Sequence, residues 1–395
     1  MSKLLVKNTE DLTQVPFLRG ILTRSLQTSG LKFKEAHELA TKIRSEIENK
    51  SVITNKELEK LVIKYLSKSS NKKAASHYEN RNMPYMLQVE SDDGEFSGFS
   101  PSTYRTDLEA IGLSVEQTAE IVDQLCAHLL KRNKANVTTR YLGKVTYRIL
   151  RKSPDIGDTP ARRWLIWKDF VHSGRPLVFL IGGTPGCGKS TVATLLASRL
   201  DVPNMQSTDT LREVMRTMIP KDEKPILHQS SFTAWKEVAA EDDSDEDMVR
   251  RVVDGYTEQA MFLSVAVQAV VDRALHERVS VIIEGVHVYP AMIASLKQTD
   301  EAVVVPLMLG IFKKNKLLAR MKGRSTEVPR RSFNRYQKYF DQIWTLQSFL
   351  MLEADVMDVP IISNDDKNDV FREIMLITIN QLAENFDKTP DEVFG

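Results

Sequence analysis

Hydrophobic residues in the first 150 positions recur at helical spacing. Ala36, Leu39, Ala40, Ile43 and Ile47 are three or four residues apart, which places them on one face of a helix. Polar and charged residues fill the positions between them. The pattern therefore predicts an amphipathic helix whose apolar face is buried in a small helical domain.

The same helical pattern occurs a second time in the same register. The matching pairs 82 residues apart are Phe17 and Phe99, Leu26 and Leu108, and Gly30 and Gly112. Each copy predicts a helix, a Gly-Leu turn, a second amphipathic helix and a third helix. The shared turn favours an internal repeat over two unrelated three-helix bundles.

The segment between the copies has a different composition. Residues 67–81 are rich in Ser, Lys and Asn and lack apolar periodicity. This composition predicts a linker over residues 68–84, between a first domain over 1–67 and a second over 85–152.

After Lys152 the pattern changes to short apolar runs separated by longer helical stretches. The predicted strands are Val178–Ile181, Val202–Gln206, Val281–Ile283, Val303–Val305 and Val359–Ile362. The predicted helices are Lys189–Leu200, Met248–His276 and Asn334–Leu352. Such alternation is typical of βαβ units, so we expect an α/β domain over 170–395 with a parallel sheet flanked by helices.

Composition and charge restrict the class of protein. A length of 395 residues predicts two to three domains. The net charge of +1 provides no global field for nucleic acid or for an anionic membrane, and we expect neither as a partner. The two cysteines, Cys126 and Cys187, suggest no disulfide framework, and the N-terminus has no apolar core. We therefore expect a cytoplasmic protein. The acidic run Glu241–Asp247 is expected to be a solvated loop or a helix start.

A phosphate-binding motif follows the first strand of the α/β domain. The segment Gly183–Ser190 reads GTPGCGKS and matches the Walker A pattern at every fixed position, between a strand and a helix. Its backbone N–H groups and the following helix N-terminus would bind phosphate oxygens. Lys189 would reach the β- and γ-phosphates, and Ser190 would hold Mg²⁺. The predicted ATP-binding residues are Gly183, Thr184, Pro185, Gly186, Cys187, Gly188, Lys189, Ser190 and Thr191.

Three charged residues after the second strand are candidates for contact with a phosphate acceptor. Asp209, Arg212 and Arg216 have the spacing of one helix face. A carboxylate can orient or deprotonate a hydroxyl group, and arginines can bind an anionic group. The alternative is a helix cap in which Thr210 and Glu213 form a capping box and the arginines are solvated.

Two further polar residues follow the strand Val281–Ile283. Glu284, at the strand end, is predicted to reach Mg²⁺, or else to form a surface ion pair. His287 would contact the acceptor or serve as a hydrogen-bonded structural residue.

Basic residues cluster after the fourth strand. They are Arg320, Lys322, Arg324, Arg330, Arg331 and Arg335. In small-molecule kinases a mobile lid brings such arginines onto the transferring phosphoryl group, and Arg324 is our candidate for that role. The alternative is a solvated basic face.

The N-terminal segment resembles an ATP-cone, the helical nucleotide-sensing module of ribonucleotide reductases. The resemblance covers residues 3–67 and rests on Val6-Lys7, Pro16–Arg19 and Gly30-Leu31. It implies a regulatory nucleotide site at Lys7 and Arg19. Residues 85–151 resemble a second, degenerate cone that lacks an evident equivalent of Lys7, and the two cones could support a homo-oligomer.

Residues 174–384 resemble the 2-phosphoglycerate kinase family, which also carries an ATP-cone before its P-loop. The matching segments are Thr208–Arg216, Pro225–Trp235, Ile283–His287 and Pro360–Asn364. The resemblance implies transfer of the ATP γ-phosphate to 2-phosphoglycerate, a small phosphorylated substrate, giving 2,3-bisphosphoglycerate. Lys189, Asp209 and Arg324 would be catalytic. The implied acceptor residues are Arg212, Arg216, Ser230, Ser231, Trp235 and His287.

Three alternatives stay open. The acceptor could be an inositol or polyol phosphate, or a nucleotide sugar, as in zeta-toxin-like kinases that share the loop and the strand-end Asp. The chain could also be an ATP-sensing regulator that phosphorylates no acceptor, although Lys189, Asp209 and Arg324 together argue against it.

Overall fold

The structure is a computed structural model that describes most of the chain. The described residues are 4–7, 9, 14–48, 50–68, 74–75, 78, 87–132, 136–153, 157–239, 244–295, 301–327, 333–364 and 370–395. They form two compact units, one of residues 1–104 with 120–146 and the other of residues 105–119 with 147–395. Within these described ranges, none of the helices combines the length and apolarity needed to span a membrane.

The first helical copy contains a small sheet as well as helices. Its strands are β1 (Leu5–Lys7), β2 (Gln14–Pro16) and β3 (Val52–Thr54), and its helices are α1 (Arg19–Thr28), α2 (Phe33–Glu46) and α3 (Asn55–Lys68). β1 pairs antiparallel with β2 and parallel with β3. The apolar face predicted for the second helix is buried, with Ala36, Ala40 and Ile43 inaccessible to solvent.

The second copy has the same order of elements and the same strand pairing. Its strands are β4 (Gln88–Glu90), β5 (Phe96–Gly98) and β6 (Asn136–Thr138), and its helices are α4 (Pro101–Ala110), α5 (Val115–Arg132) and α6 (Thr139–Lys152). β4 pairs antiparallel with β5 and parallel with β6. The predicted helices are present in both copies. The three-residue strands were not predicted, because so short a run has no detectable two-residue alternation.

Part of the predicted linker is packed against the first copy. Ala74, Ala75 and Tyr78 are buried in its hydrophobic core together with residues such as Ile43 and Leu66. The predicted linker over 68–84 therefore needs correction at these three positions. Its other residues beyond Lys68 lie outside the described part of the chain.

The α/β unit contains a five-stranded parallel sheet, as predicted. Its strands are β7 (Leu177–Gly182), β8 (Asn204–Ser207), β9 (Val281–Glu284), β10 (Val303–Gly310) and β11 (Ile361–Ser363). The order across the sheet is β11-β10-β7-β9-β8, and all neighbouring strands are parallel. All six residues of β7 are buried, because a central parallel strand is covered on both faces.

Helices connect and cover these strands. They are α7 (Asp158–Ser173), α8 (Lys189–Leu200), α9 (Thr208–Met218), α10 (Asp245–Glu277), α11 (Pro290–Ser295), α12 (Lys314–Glu327), α13 (Phe333–Lys338), α14 (Phe340–Val356), α15 (Val370–Leu382) and α16 (Pro390–Phe394). Short 3₁₀ helices, Pro225–His228 and Ala234–Glu237, lie between α9 and α10. The topological switch around β7 places the phosphate loop at the carboxyl edge of the sheet.

Several element boundaries differ from the predictions; β10, for example, extends to Gly310, beyond the predicted strand Val303–Val305. The expected domain start at residue 170 falls inside α7, whose Trp164 and Phe170 are buried and which packs on α15 and α16. The helix predicted over Asn334–Leu352 is two helices, α13 and α14, separated at Tyr339. In the acidic run, α10 begins at Asp245 because the Ser244 side chain caps it by accepting from the Asp247 N–H.

Candidate active site

The phosphate loop connects β7 to α8 and depends on three glycines. Gly183, Gly186 and Gly188 have φ angles of +134°, +90° and +95°. A Cβ at Gly183 would lie 2.3 Å from the Leu309 carbonyl oxygen, and one at Gly188 would lie 2.4 Å from Asn364 Nδ2. Only glycine combines these backbone angles with such close contacts, so the loop can curve around a phosphate group.

Lys189 is held inside the curve of this loop. Its side chain is 8% exposed, and Nζ donates a hydrogen bond to the Thr184 carbonyl oxygen at 3.0 Å. Lys189 is also the first residue of α8, so its ammonium group lies at the positive end of the helix. This arrangement concentrates positive charge where phosphate oxygens would bind.

Two residues distant in sequence hold the loop through side-chain hydrogen bonds. Asn364, just after β11, donates from Nδ2 to the Cys187 carbonyl oxygen at 2.7 Å. Gln347 of α14 accepts from Thr184 Oγ1 at 3.1 Å and donates to the Ile311 carbonyl oxygen at 2.7 Å. Gln347 was not among the predicted site residues, because no local pattern in a helix indicates that one amide contacts a loop 163 residues away.

Ser190 and Glu284 form the candidate metal site. Ser190 Oγ donates to Glu284 Oε1 at 2.9 Å, and Glu284 is 6% exposed at the end of β9. A hydroxyl and a buried carboxylate beside a phosphate loop are the hard oxygen donors that Mg²⁺ prefers, so these residues fit that ion. Among the described residues, no group of three or more His, Cys, Asp and Glu side chains could hold a metal ion.

The acceptor candidates begin at the N-terminus of α9. Ser207 caps this helix by accepting from the Asp209 N–H at 3.2 Å, so the predicted Thr210–Glu213 capping box is replaced by a cap three residues earlier. This cap leaves the Asp209 carboxylate, whose side chain is 64% exposed, available to a ligand.

Arg212 is held more rigidly than Asp209. Its side chain is 12% exposed, and NH1 donates to the carbonyl oxygens of Leu227 and Gln229 at 3.2 and 2.9 Å. These bonds fix the guanidinium against the segment that carries Ser230 and Ser231. Its Nε is buried, lies 4.0 Å from Asp209 Oδ1 and has no hydrogen-bond partner within the described ranges.

A cavity of about 500 Å³ joins the phosphate loop to these acceptor candidates. Its lining residues are Pro185, Lys189, Ser190, Ser207, Asp209, Thr210, Arg212, Ser230, Ser231, Phe232, Glu284, Gly285, Val286, Arg335 and Tyr336. The cavity therefore brings together two of the three predicted catalytic residues, Lys189 and Asp209, with the predicted metal residues and three of the six predicted acceptor residues.

The other three predicted acceptor residues do not line this cavity. Arg216 lies two turns along α9 and pairs with Glu213 at 3.0 Å. Trp235 packs under the guanidinium of Arg251, 5.1 Å from its ring centroid. His287 is completely buried. Arg216 would have to extend back along the helix to contact an acceptor. Trp235 is held by its contact with Arg251, and His287 is enclosed within the protein.

His287 belongs to a buried hydrogen-bond network. Nδ1 is 3.2 Å from Thr208 Oγ1 and Nε2 is 2.9 Å from Gln259 Oε1, and Gln259 Nε2 donates in turn to the Gln229 carbonyl oxygen at 3.2 Å. Burial lowers the pKa of His287 to about 3; the Asp209 charge opposes this shift, while Arg212 and Lys189 reinforce it. The ring is therefore neutral, with Nε2–H donating to Gln259 and Nδ1 accepting from Thr208.

Gly285 allows this network to pack closely. A Cβ at position 285 would lie 1.7 Å from Thr208 Oγ1, so a side chain there would displace the first residue of α9. Thr208 precedes Asp209, so the network fixes the helix start that presents the carboxylate. The structure thus supports the structural alternative for His287.

The basic cluster divides into two parts. Arg320 donates to the Asn364 carbonyl oxygen and so supports the phosphate loop, whereas Arg335 lines the cavity. Arg324 lies in α12, but its side chain is outside the described part of the structure, and so are Arg330 and Arg331.

The two predicted regulatory residues lie in the first helical copy. Lys7 ends β1 and Arg19 begins α1, and both side chains are half-buried. Neither residue belongs to the unit that contains the phosphate loop.

The chain is similar to several known kinases. The 2-phosphoglycerate kinase of Pyrococcus furiosus is 32% identical over 304 residues, 77% of this chain and 97% of the relative. The 2-phosphoglycerate kinase of Pyrococcus horikoshii is 31% identical over 288 residues, 73% of this chain and 91% of the relative. For that of Methanocaldococcus jannaschii the identity is 34% over 271 residues, 67% of this chain and 82% of the relative. No family model matches the chain.

The alignments cover 97%, 91% and 82% of these relatives, whereas this chain has additional residues. The excess over the Pyrococcus furiosus protein is about the length of one helical copy. The similarity extends over most of each protein and accompanies a complete phosphate loop on a parallel sheet. The chain therefore belongs to the 2-phosphoglycerate kinase family and is a phosphotransferase.

Proposed function

We propose that this protein transfers the γ-phosphate of ATP to the free hydroxyl of 2-phosphoglycerate, giving 2,3-bisphosphoglycerate and ADP. The observation that carries the proposal is the single cavity lined by both Lys189 and Asp209. A donor and an acceptor bound in one cavity can be aligned for direct transfer without an intermediate on the protein. Relatives named 2-phosphoglycerate kinase support this acceptor.

Residues of the phosphate loop would act on the donor. Backbone N–H groups of the glycine-rich loop would bind the phosphates of ATP, and Lys189 would leave the Thr184 carbonyl to contact the β- and γ-phosphates. Because Lys189 is nearly buried, its charge would stabilise the charge that develops on the transferring group more strongly than in water.

Ser190 and Glu284 would hold Mg²⁺ with ATP. The bound ion would neutralise charge on the phosphate oxygens. Glu284 already orients Ser190 through their hydrogen bond. The hydroxyl donates its proton in that bond, so the lone pairs of the Ser190 oxygen would be available to the ion.

Asp209 would act on the acceptor. Its carboxylate would accept the proton of the acceptor hydroxyl as the oxygen forms a bond to the γ-phosphorus and the bond from phosphorus to ADP breaks. Arg212, fixed by two carbonyl groups, would bind an anionic group of the same acceptor. Arg324 is proposed to reach the transferring phosphoryl group from α12.

The helical copies would regulate this activity. Lys7 and Arg19 are proposed to bind a second nucleotide in an ATP-cone-like site. Their counterparts in the second copy, Glu90 and Pro101, are not basic, so we expect one regulatory site for the two copies.

The test of the proposed function is identification of the product. The enzyme would be supplied with ATP and Mg²⁺ and with 2-phosphoglycerate, a polyol phosphate or an inositol phosphate. ADP release would be measured, and the product examined by phosphorus NMR. We expect turnover with 2-phosphoglycerate and a product with two phosphate monoesters. Turnover with a polyol phosphate or an inositol phosphate, but not with 2-phosphoglycerate, would reject the proposed acceptor. The protein would still be a kinase.

Two variants check the proposed roles in the same assay. Lys189→Ala should lower kcat at least about 100-fold. Asp209→Asn should lower kcat by roughly 10²- to 10⁴-fold, because the amide keeps the shape but accepts no proton. Glu223→Gln, an exposed carboxylate beyond α9, is the matched control and should keep normal turnover. Normal kcat in Asp209→Asn would reject its proposed role.

A further inference from the structure

The cavity contains a second group of donors, distinct from the phosphate loop and from Arg212. Arg335 of α13 donates from NH2 to Ser230 Oγ at 2.6 Å, and Ser231, which is 6% exposed, lines the cavity beside them. A guanidinium and two hydroxyl groups thus converge on one part of the cavity. Sequence reasoning placed Arg335 only in a general basic cluster.

Aromatic contacts hold Arg335 in this position. Its guanidinium carbon lies 5.5 Å from the ring centroid of Phe232, within the range of a cation–π interaction. Tyr336 and Tyr339 pack on the same ring, with centroids 5.7 and 6.0 Å away. The Tyr339 hydroxyl also accepts from Lys236 Nζ at 2.8 Å. The short helix α13 therefore packs on the segment 230–236, and these contacts hold Arg335 where its side chain lines the cavity.

Arg212 offers a different arrangement of donors. NH1 is occupied by two carbonyl oxygens, which leaves the edge formed by Nε and NH2. Nε is buried, has no hydrogen-bond partner among the described residues and lies 4.0 Å from Asp209 Oδ1, and NH2 lies 3.7 Å from Glu213 Oε1. These two contacts are longer than hydrogen bonds, so the Arg212 guanidinium keeps donor capacity for a carboxylate.

We propose that the acceptor's two anionic groups bind at separate subsites. Arg335, Ser230 and Ser231 bind the phosphate that the acceptor already carries, and the guanidinium of Arg212 binds its carboxylate. A phosphate group has three terminal oxygens and about two negative charges, so it requires several donors from different directions. The proposal rests on the proposed function, because 2-phosphoglycerate carries both groups.

Competitive inhibition by the two halves of the acceptor tests this division. Glycerate carries the carboxylate without the phosphate, and glycerol 2-phosphate carries the phosphate without the carboxylate. Each would be assayed against 2-phosphoglycerate in the full-length wild-type enzyme, in Arg335→Gln and in Lys338→Gln. Lys338→Gln is the matched control, because this substitution also removes one positive charge from α13 and Lys338 does not line the cavity.

Arg335→Gln should raise the KM for 2-phosphoglycerate and the inhibition constant of glycerol 2-phosphate by about 10- to 100-fold, the value of one or two charge-assisted hydrogen bonds. Its inhibition constant for glycerate should stay within about threefold of wild type. Lys338→Gln should leave all three constants within about threefold. Ser230→Ala should show the Arg335→Gln pattern with a smaller effect.

Three results would overturn the division. Equal weakening of both inhibitors would make Arg335 a structural residue, selective weakening of glycerate would reverse the assignment, and unchanged constants would remove Arg335 from the site. Wild-type enzyme that fails to use 2-phosphoglycerate would reject the proposed function and the division together, and this outcome is recognised before any variant is compared.

Discussion

The two helical copies share a turn, but the turns have different surroundings. Gly30 and Gly112 end the first helix of their copies with φ angles of +98° and +82°. A Cβ at Gly30 would have no heavy atom within 4 Å in the described part of the chain, whereas one at Gly112 would lie 2.5 Å from Leu376 Cδ2. The Gly112 carbonyl oxygen also accepts from Arg372 Nε at 2.8 Å.

Charges follow the same division. Asp107 and Glu109 of the second copy pair with Lys168 of α7 and Arg199 of α8, residues of the same compact unit. The positions 82 residues earlier are Ser25 and Gln27, which carry no charge. The second turn therefore packs within the kinase unit, whereas no described heavy atom lies within 4 Å of a Cβ at the first turn.

At the positions proposed to bind nucleotide, the charged residues that could bind phosphate lie in the first copy and not in the second. Lys7 and Glu90 occupy the same place in their sheets, since each is the last residue of its central strand and pairs with a threonine of the third strand. Arg19 and Pro101 each begin the first helix of their copies. The first copy thus keeps two positive charges where the second has a negative charge and a proline.

The largest expected difference between the copies is in stability. Gly30→Ala should cost about 1–2 kcal/mol, because an alanine is forced into left-handed backbone. Gly112→Ala should cost a further 1–3 kcal/mol or so from overpacking against Leu376. Urea unfolding of each variant would measure the difference. A double variant with Leu376→Ala should recover part of the added cost. Equal costs for the two glycine variants would mean that Leu376 moves aside freely.

A smaller effect is expected on nucleotide binding. In a Lys189→Ala background, where the phosphate loop is weakened, residual ATP binding should come from the first copy. Changing Lys7 and Arg19 to Ala should weaken that binding at least tenfold, which is about 1.4 kcal/mol. Calorimetry with ATP and with ADP would measure it. The control is Glu90→Gln in the second copy, which should leave the binding unchanged. Binding that survives the double change would place the second nucleotide elsewhere.

The smallest effect concerns the ion pair between Glu109 and Arg199. Glu109→Gln should destabilise the kinase unit by about 0.2–1 kcal/mol, because Arg199 remains 40% exposed and water screens the pair. The effect should decrease in 1 M salt. Gln27→Ala, at the corresponding place in the first copy, should show no salt-dependent change. A salt-independent loss in Glu109→Gln would point to packing of the side chain instead of its charge.

Local sequence patterns predicted the parts of the fold that have local causes. The strand before Gly183, the glycine loop and the helix from Lys189 were all predicted, because each has a signal within a few residues. The acceptor side was predicted less completely. Asp209 and Arg212 lie on α9, which directly follows the end of β8. Both residues line the cavity.

Other parts depend on contacts that no short segment contains. Arg335 reaches the cavity because α13 packs on Phe232, about 100 residues earlier. His287 is separated from the cavity because Gln259 and Thr208 enclose it, and neither was identifiable as its partner from sequence. The three-residue strands of the helical copies are stabilised by pairing with segments distant in sequence, which a periodicity cannot report.

The division of the second copy between the two compact units limits how this protein could be reassembled by recombination. The chain enters the kinase unit at Arg105, within α4, leaves it at Glu120 and enters it again at Tyr147. A gene fusion that exchanged the second copy as an intact cassette would remove Gly112 from Leu376 and Glu109 from Arg199. Residues 105–119 of the second copy are therefore tied to the kinase unit, and an exchange made at the boundaries of the copy would break those contacts.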